Sequence, residues 1–138
     1  MSSIDATLAR IRQRCASFPD VSERESHGTP TFFVREKRSF LSLIASYYYA
    51  PGGRPAIVCA APEGVQAALT EDEPELFFVP KYVAKLGWIG MWLDRGAPWE
   101  RIEPIVAAAY ETAAEKLASK RKKAAPAKKR VAKKGPRG

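Results

Sequence analysis

Nine cations crowd the C-terminal end of this sequence: Lys120, Arg121, Lys122 and Lys123, then Lys128, Lys129 and Arg130, then Lys133 and Lys134. Ala, Val and Pro separate them, and no Asp or Glu interrupts them. Such a run suits the phosphates of a polyanion. Each Lys or Arg that meets a duplex phosphate releases a condensed counterion, so affinity falls steeply with salt. Contacts of this kind position a protein without reading sequence. The plainer alternatives are a solubility tail, or one that holds RNA, ribosomes or acidic proteins. A membrane surface fits less well, because Val131 is the only sizeable apolar anchor among the cations.

A second group could bind rather than neutralise. Tyr82, Lys85 and Trp88 place a cation between two aromatic rings, a set able to stack a base or clamp a small anion. The competing role is structural, with Trp88 in a core and Lys85 laid over it. His27, the one histidine, could serve as a general base, since its ordinary pKa lies near neutrality. No nucleophile or acid stands at a spacing that would complete a catalytic set with it, so tethering a loop is the expected role. Of Tyr47, Tyr48 and Tyr49, at most two can share a face of a strand, and packing is their expected role.

Several chemistries are excluded. There is no Walker loop, GxGxxG, HExxH or GxSxG, and the chain reads as a non-enzyme without a cofactor. Cys15 and Cys59 form no CxxC pair, and one histidine cannot complete a structural zinc site, so both are expected to be free buried thiols. The acidic stretch Glu71, Asp72, Glu73 and Glu75 is the nearest approach to a metal ligand set, but hard cations need several oxygens held in one shell, and no metal is expected. The N-terminus lacks the basic and apolar regions of a signal peptide, and no apolar run is long enough for a membrane span. These features predict a cytoplasmic protein.

The net charge of +8 conceals a division. Residues 116–138 hold 11 of the 23 Lys and Arg and none of the 15 Asp and Glu, so they carry +11 while residues 1–115 carry −3. The basic stretch cannot bury a core, which predicts disorder for 119–138 in isolation. Residues 1–118 are expected to form one domain, since the apolar share of 46% and aromatic share of 10% are those of a folded chain.

The elements that must position these groups follow from periodicity. Ile4, Leu8, Ile11, Cys15 and Phe18 mark one face of a first helix. The polar stretch Ser22–Pro30 reads as a loop. Thr31–Val34 and Ser39–Ile44 read as a hairpin around the charged turn 35–38, and Tyr47–Gly53 as a loop. Ala56–Ala60 is a third strand. Pro62 should open a short helix with Val65, Ala68 and Leu69 inward, and the acidic turn 71–75 should lead into Phe77–Pro80. Trp88–Leu93 is the last strand. Pro98 begins a long helix whose inner face is Trp99, Ile102, Val106, Ala109 or Tyr110, Ala113 and Leu117. The fold class is α+β: a small antiparallel sheet with an N-terminal and a long C-terminal helix packed on one face.

Three segments carry a resemblance. They are His27–Phe32 (HGTPTF); Gly53–Ile57 (GRPAI) running on to Ala61-Pro62; and Phe77–Val83 (FFVPKYV) continued through Gly87–Gly90 (GWIG) to Leu93-Asp94. Together, over about residues 4–118, they resemble the MmcQ/YjbR-like family. The resemblance implies a frataxin-like, double-wing type of fold and a bacterial source. Members are commonly labelled DNA-binding, although fold alone does not set function. The likeness to frataxin also raises iron, but the first helix here carries Arg10, Arg12 and Arg14, which repel cations. This chain departs from the family pattern at Ala60 and Trp92, where relatives often carry Lys and Arg, and at the weakly basic Lys85-Leu86. The folded part should therefore hold phosphate less well than its relatives do.

The expected function is sequence-tolerant DNA binding through the tail, with RNA the other polyanion it could take and the nucleoid its natural setting. The alternative is a small-molecule or peptide-binding module with a pocket near His27, Tyr82, Lys85 and Trp88.

Overall fold

Apolar residues at helical spacing bury α1 (Ser3–Ala16) through Ile11 and Cys15, with Leu8 partly covered. Strands β1 (Val21–Ser26), β2 (Thr29–Val34), β3 (Arg38–Tyr47) and β4 (Arg54–Cys59) follow, then α2 (Val65–Asp72), β5 (Phe77–Phe78), β6 (Ile89–Trp92) and α3 (Trp99–Arg130). The computed structural model describes residues 3–47 and 52–130, with side chains for 4–47 and 52–119. The strands form one six-stranded sheet in the order β1-β2-β3-β4-β6-β5. Every neighbouring pair is antiparallel.

Helices α1 and α3 lie side by side on one face of this sheet, α3 over β2 and β3 and α1 beside β1. Ile102, Val106, Ala109 and Ala113 of α3 are buried there, as the spacing predicts. Phe40 of β3 meets both helix layers: its ring makes edge contacts with Phe18 after α1 and with Tyr110 of α3. Phe18 and Tyr110 stack at 4.4 Å. Full burial of an apolar side chain such as Phe40 contributes roughly 1.5–3 kcal/mol, and the partly buried Phe18 and Tyr110 add to it.

Arginines tie the layers together. Arg12 bridges to Glu23 on β1 at 2.8 Å, and Arg14 to Glu103 on α3 at 2.9 Å. Arg10 lies over the Trp99 ring at 4.4 Å. Arg101 pairs with Glu73, so the acidic stretch after α2 binds a protein cation.

A bulge in β3 decides which residues reach the opposite face. Phe32 pairs with Leu41 but Phe33 pairs with Ser39, leaving Phe40 as the extra residue. Phe40 and Leu41 both point into the helix-side core, fully buried. Ser39 and Ser42, three apart rather than two, therefore share the other face. A second irregularity, between Ile44 and Tyr47, brings those two onto this same face.

Some expectations need correction. The segment 22–30 is not a loop: it forms β1 and a tight turn into β2. Polar residues suffice because β1 is an edge strand, paired on one side only. Glu23 pairs with Arg12, and Arg24 lies over the Phe33 ring at 3.9 Å. Helix α2 begins at Val65 rather than Pro62, because Gly64 adopts a left-handed φ of 87°. Of its expected inner face, Val65 and Leu69 pack partly on the core, while Ala68 is exposed. Glu71 and Asp72 belong to that helix rather than to a turn. Tyr47 is a buried strand residue, and Tyr48 and Tyr49 lie outside the described residues. The long C-terminal helix starts after Pro98 as expected, with α3 spanning Trp99–Arg130.

Cys15 and Cys59 are free and buried, as expected. Burial pushes the Cys15 thiol up to about 12 and raises Cys59 as well, so both stay protonated and unreactive at neutral pH.

Gly90 of β6 has no room for a side chain. A Cβ there would lie 2.1 Å from the Phe78 ring, which stacks on Trp92 at 4.1 Å. Gly90→Ala should lower unfolding free energy by about 1–3 kcal/mol, measured by urea denaturation. Arg54 lies over Trp92 at 4.0 Å and makes paired hydrogen bonds of 2.8 Å to Asp94. Those bonds hold the Asp94 carboxyl below the usual range. Folding lowers this pKa, so the pair's contribution is present at neutral pH and fades as the pH falls through the folded value. Asp94→Asn should cost up to about 1 kcal/mol near pH 7 for this partly exposed pair. In denaturation series the difference from wild type should close as the pH falls below the ordinary carboxylate range.

Candidate functional site

The face of the sheet away from α1 and α3 carries two kinds of surface. Over the end of β3, β6 and β5 it is aromatic: Tyr47, Phe78 and Trp92 contact one another, with ring centroids 4.1–5.9 Å apart. Over β2 and β3 it is hydroxylic. Thr31 and Ser42 sit opposite each other on paired strands, their oxygens 3.0 Å apart, and Thr31 also donates to the Thr29 carbonyl.

Between the two surfaces lies an open cavity of about 530 Å³. Its floor is Thr31, Ser39, Ser42, Ile44 and Val58, and its far wall is the segment Pro80–Val83 with Trp88. Ser26, His27 and Thr29 close it on the β1–β2 side. No Asp or Glu is among the described lining residues, whereas His27 and Lys81 are. The site is mixed in character, rich in groups that both donate and accept, and without negative charge of its own.

The wall is held from behind and from one end. Gln66 of α2 donates its side-chain amide to the Trp88 carbonyl at 2.7 Å and to the Ala84 carbonyl at 3.0 Å. The Lys81 backbone N–H donates to the Tyr47 hydroxyl at 3.0 Å. A short 3₁₀ turn, Ala84–Leu86, ends at Gly87 with a φ of 81° and leads the chain into β6.

The structure brings together three of the four residues expected to form a pocket. His27, Tyr82 and Trp88 line the cavity; Lys85 does not, because it lies exposed on the 3₁₀ turn, and Lys81 supplies the cation instead. Trp88 is nearly buried and Tyr82 is 87% exposed. His27 is an exposed residue at the tip of the β1–β2 turn, where it and Gly28 have φ of 54° and 78°. Two consecutive positive φ values are those of a type I′ turn, which suits the twist of a tight hairpin. Ser39 and Ser42 escaped sequence reasoning because strict alternation puts them on opposite faces. The available signal was the adjacent apolar pair Phe40-Leu41 flanked by two serines, which breaks a period of two.

Of the tail cations, Lys120, Arg121, Lys122, Lys123, Lys128, Lys129 and Arg130 fall on the backbone of α3, and Lys133 and Lys134 lie outside the described residues. Among the described residues, no group of three or more His, Cys, Asp or Glu could hold a metal ion. None of the described helices is long and apolar enough to cross a membrane.

A one-sided α+β sandwich, with two long helices on one face of an antiparallel sheet and a hydroxyl-floored cavity on the other, defines the class of this protein. The family described as YjbR matches residues 16–112, well over half of the chain, and the protein belongs to that family. The match begins at the end of α1, a narrower span than the resemblance over 4–118, and includes every cavity residue. No curated protein and no solved structure matches the chain.

The turn geometry gives a direct check on His27. His27→Asn should keep or slightly raise thermal stability, because Asn-Gly is the favoured type I′ pair. His27→Val should cost about 1 kcal/mol, since a β-branched residue resists a left-handed backbone; differential scanning calorimetry reads both.

Proposed function

We propose that this protein is a non-enzymatic, largely sequence-independent DNA-binding protein whose phosphate contacts come from the basic C-terminal segment. The observation that carries the reading is the division of charge: +11 on residues 116–138 against −3 on residues 1–115. The use of arginine in the body supports it. Arg10, Arg14, Arg24, Arg54 and Arg101 lie over aromatic rings. Arg12, Arg14, Arg54 and Arg101 also pair with carboxylates. These six arginines, half of the twelve basic residues of 1–115, bind the fold to itself, which makes the segment after Lys116 the main reservoir of cations for a polyanion. Binding rather than catalysis is the role assigned, because His27 sits at an exposed hairpin tip and shares its cavity with no carboxylate among the described residues. A cytoplasmic, nucleoid-associated setting follows from this reading.

A specific observation favours a second reading. The concave site at His27, Tyr82 and Trp88 has a volume within the range of small-ligand pockets, as a small-molecule or peptide-binding module requires. In that case the tail would serve localisation only.

The deciding measurement is duplex DNA affinity across a salt series, with RNA duplex in parallel. It compares the full chain with a full-length variant in which the nine cations from Lys120 to Lys134 become Gln. If about six of them meet phosphates, the log–log salt slope should be about −5 for the wild type and should approach zero for the variant. An unchanged slope and affinity in the variant would sink the tail reading.

A further inference from the structure

We propose that the cavity on the open sheet face accepts one unpaired nucleotide, its base against Tyr82 and Trp88 and its phosphate beside Lys81 and His27. The inference rests on the nucleic-acid reading above and adds a preference that a lysine-rich tail cannot supply, namely single strand over duplex.

Four observations converge. The first is size: a cavity of about 530 Å³ suits a single small ligand, whereas a duplex keeps its bases stacked and presents only phosphates and groove edges. The second is polarity. Ser39 offers a hydroxyl that donates and accepts, and Ser42, whose proton goes to Thr31, keeps acceptor lone pairs for the donor groups of a base edge or a sugar. The third is charge. With Lys81 and His27 lining the site and no carboxylate among its described lining residues, an anionic group is admitted and a cationic one gains no partner.

The fourth is Tyr82. It combines 87% exposure with a φ of 70°. Large aromatics are seldom so exposed, and a bulky residue in a left-handed backbone is an outlier that persists only where its surroundings enforce it. Those surroundings are visible: the Lys81 N–H is bonded to Tyr47 on one side, and Gln66 grips the Ala84 and Trp88 carbonyls on the other. The wall is fixed in advance and holds an aromatic face out to solvent, so little ordering is left to be done on binding. Base–aromatic stacking tolerates any base, which agrees with sequence-independent tail contacts.

The test uses the full-length protein, its Tyr82→Ala and Ser42→Leu variants, and the full-length variant with the nine tail cations changed to Gln. The probes are a short mixed-sequence single-stranded oligonucleotide, its duplex, and the free mononucleotides AMP, GMP, CMP and UMP. Fluorescence anisotropy reads the oligonucleotides and tryptophan emission reads the mononucleotides. The wild type should hold the single strand about tenfold more tightly than the duplex, from one stacked base. Tyr82→Ala and Ser42→Leu should each bring single-strand affinity down toward that of the duplex. Tyr82→Ala should not lower the melting temperature, which separates a binding role from a structural one. Equal affinity of the wild type for strand and duplex, or a preference that survives both substitutions, overturns the inference while the tail reading stands. Should the tail-neutralised chain keep its duplex affinity, the tail reading falls, and the mononucleotides then judge the cavity alone. Quenching of tryptophan by a mononucleotide, abolished by Tyr82→Ala, supports the site. Absence of quenching by all four overturns it. Quenching by free mononucleotides without any oligonucleotide preference identifies a free nucleotide as the ligand source and also overturns the single-strand inference.

Discussion

A six-stranded sheet has two faces, and in this chain the two long helices, α1 and α3, are packed against one of them. Everything else depends on that imbalance. The covered face takes the large aliphatic and aromatic residues, and the rest of the sheet has to be finished without a second pair of helices. Part of it is sealed by aromatic packing, with Phe78 lying where a side chain of Gly90 would be and Trp92 stacked between Phe78 and Arg54. The rest is left concave and hydroxylic. A cavity is thus a consequence of how the sheet is covered, and it needs no element of its own.

The β3 bulge at Phe40 is the hinge of the arrangement. Inserting one residue lets Phe40 and Leu41 both enter the helix-side core, where Phe40 meets Phe18 and Tyr110. The same insertion places Ser39 and Ser42 together on the opposite face. One local irregularity therefore serves stability on one side of the sheet and polarity on the other. This coupling also explains why the cavity floor went unread in the sequence: a strict period of two puts residues three apart on opposite faces, and only the doubled apolar pair Phe40-Leu41 between the serines hints at the extra residue.

Arginine chemistry separates the body from the tail. In the body six arginines are spent on rings and carboxylates, from Arg10 over Trp99 to Arg54 between Trp92 and Asp94. Such contacts reward a planar, delocalised cation. The C-terminal run is mostly lysine instead, a compact charge on a flexible stem that suits phosphates met in no fixed geometry. The two halves of the charge distribution thus differ in kind as well as in sign.

The sequence alone determined the elements with a strong period and the placement of charge. The inner faces of α1 and α3, the β2–β3 hairpin, the buried thiols and the family segments were all legible, because helical spacing and β-branched runs are local signals. The basic segment was equally plain, since formal charge needs no coordinates. Only the tertiary structure decided that Ser22–Ser26 is a strand, because a polar edge strand is specified by its neighbour, Val34 to Thr29, rather than by its own residues. It also decided that Lys81, and not Lys85, faces the cavity with Tyr82 and Trp88. That choice turns on a left-handed residue and a 3₁₀ turn held by Gln66, a contact across some twenty residues that no spacing along the chain encodes.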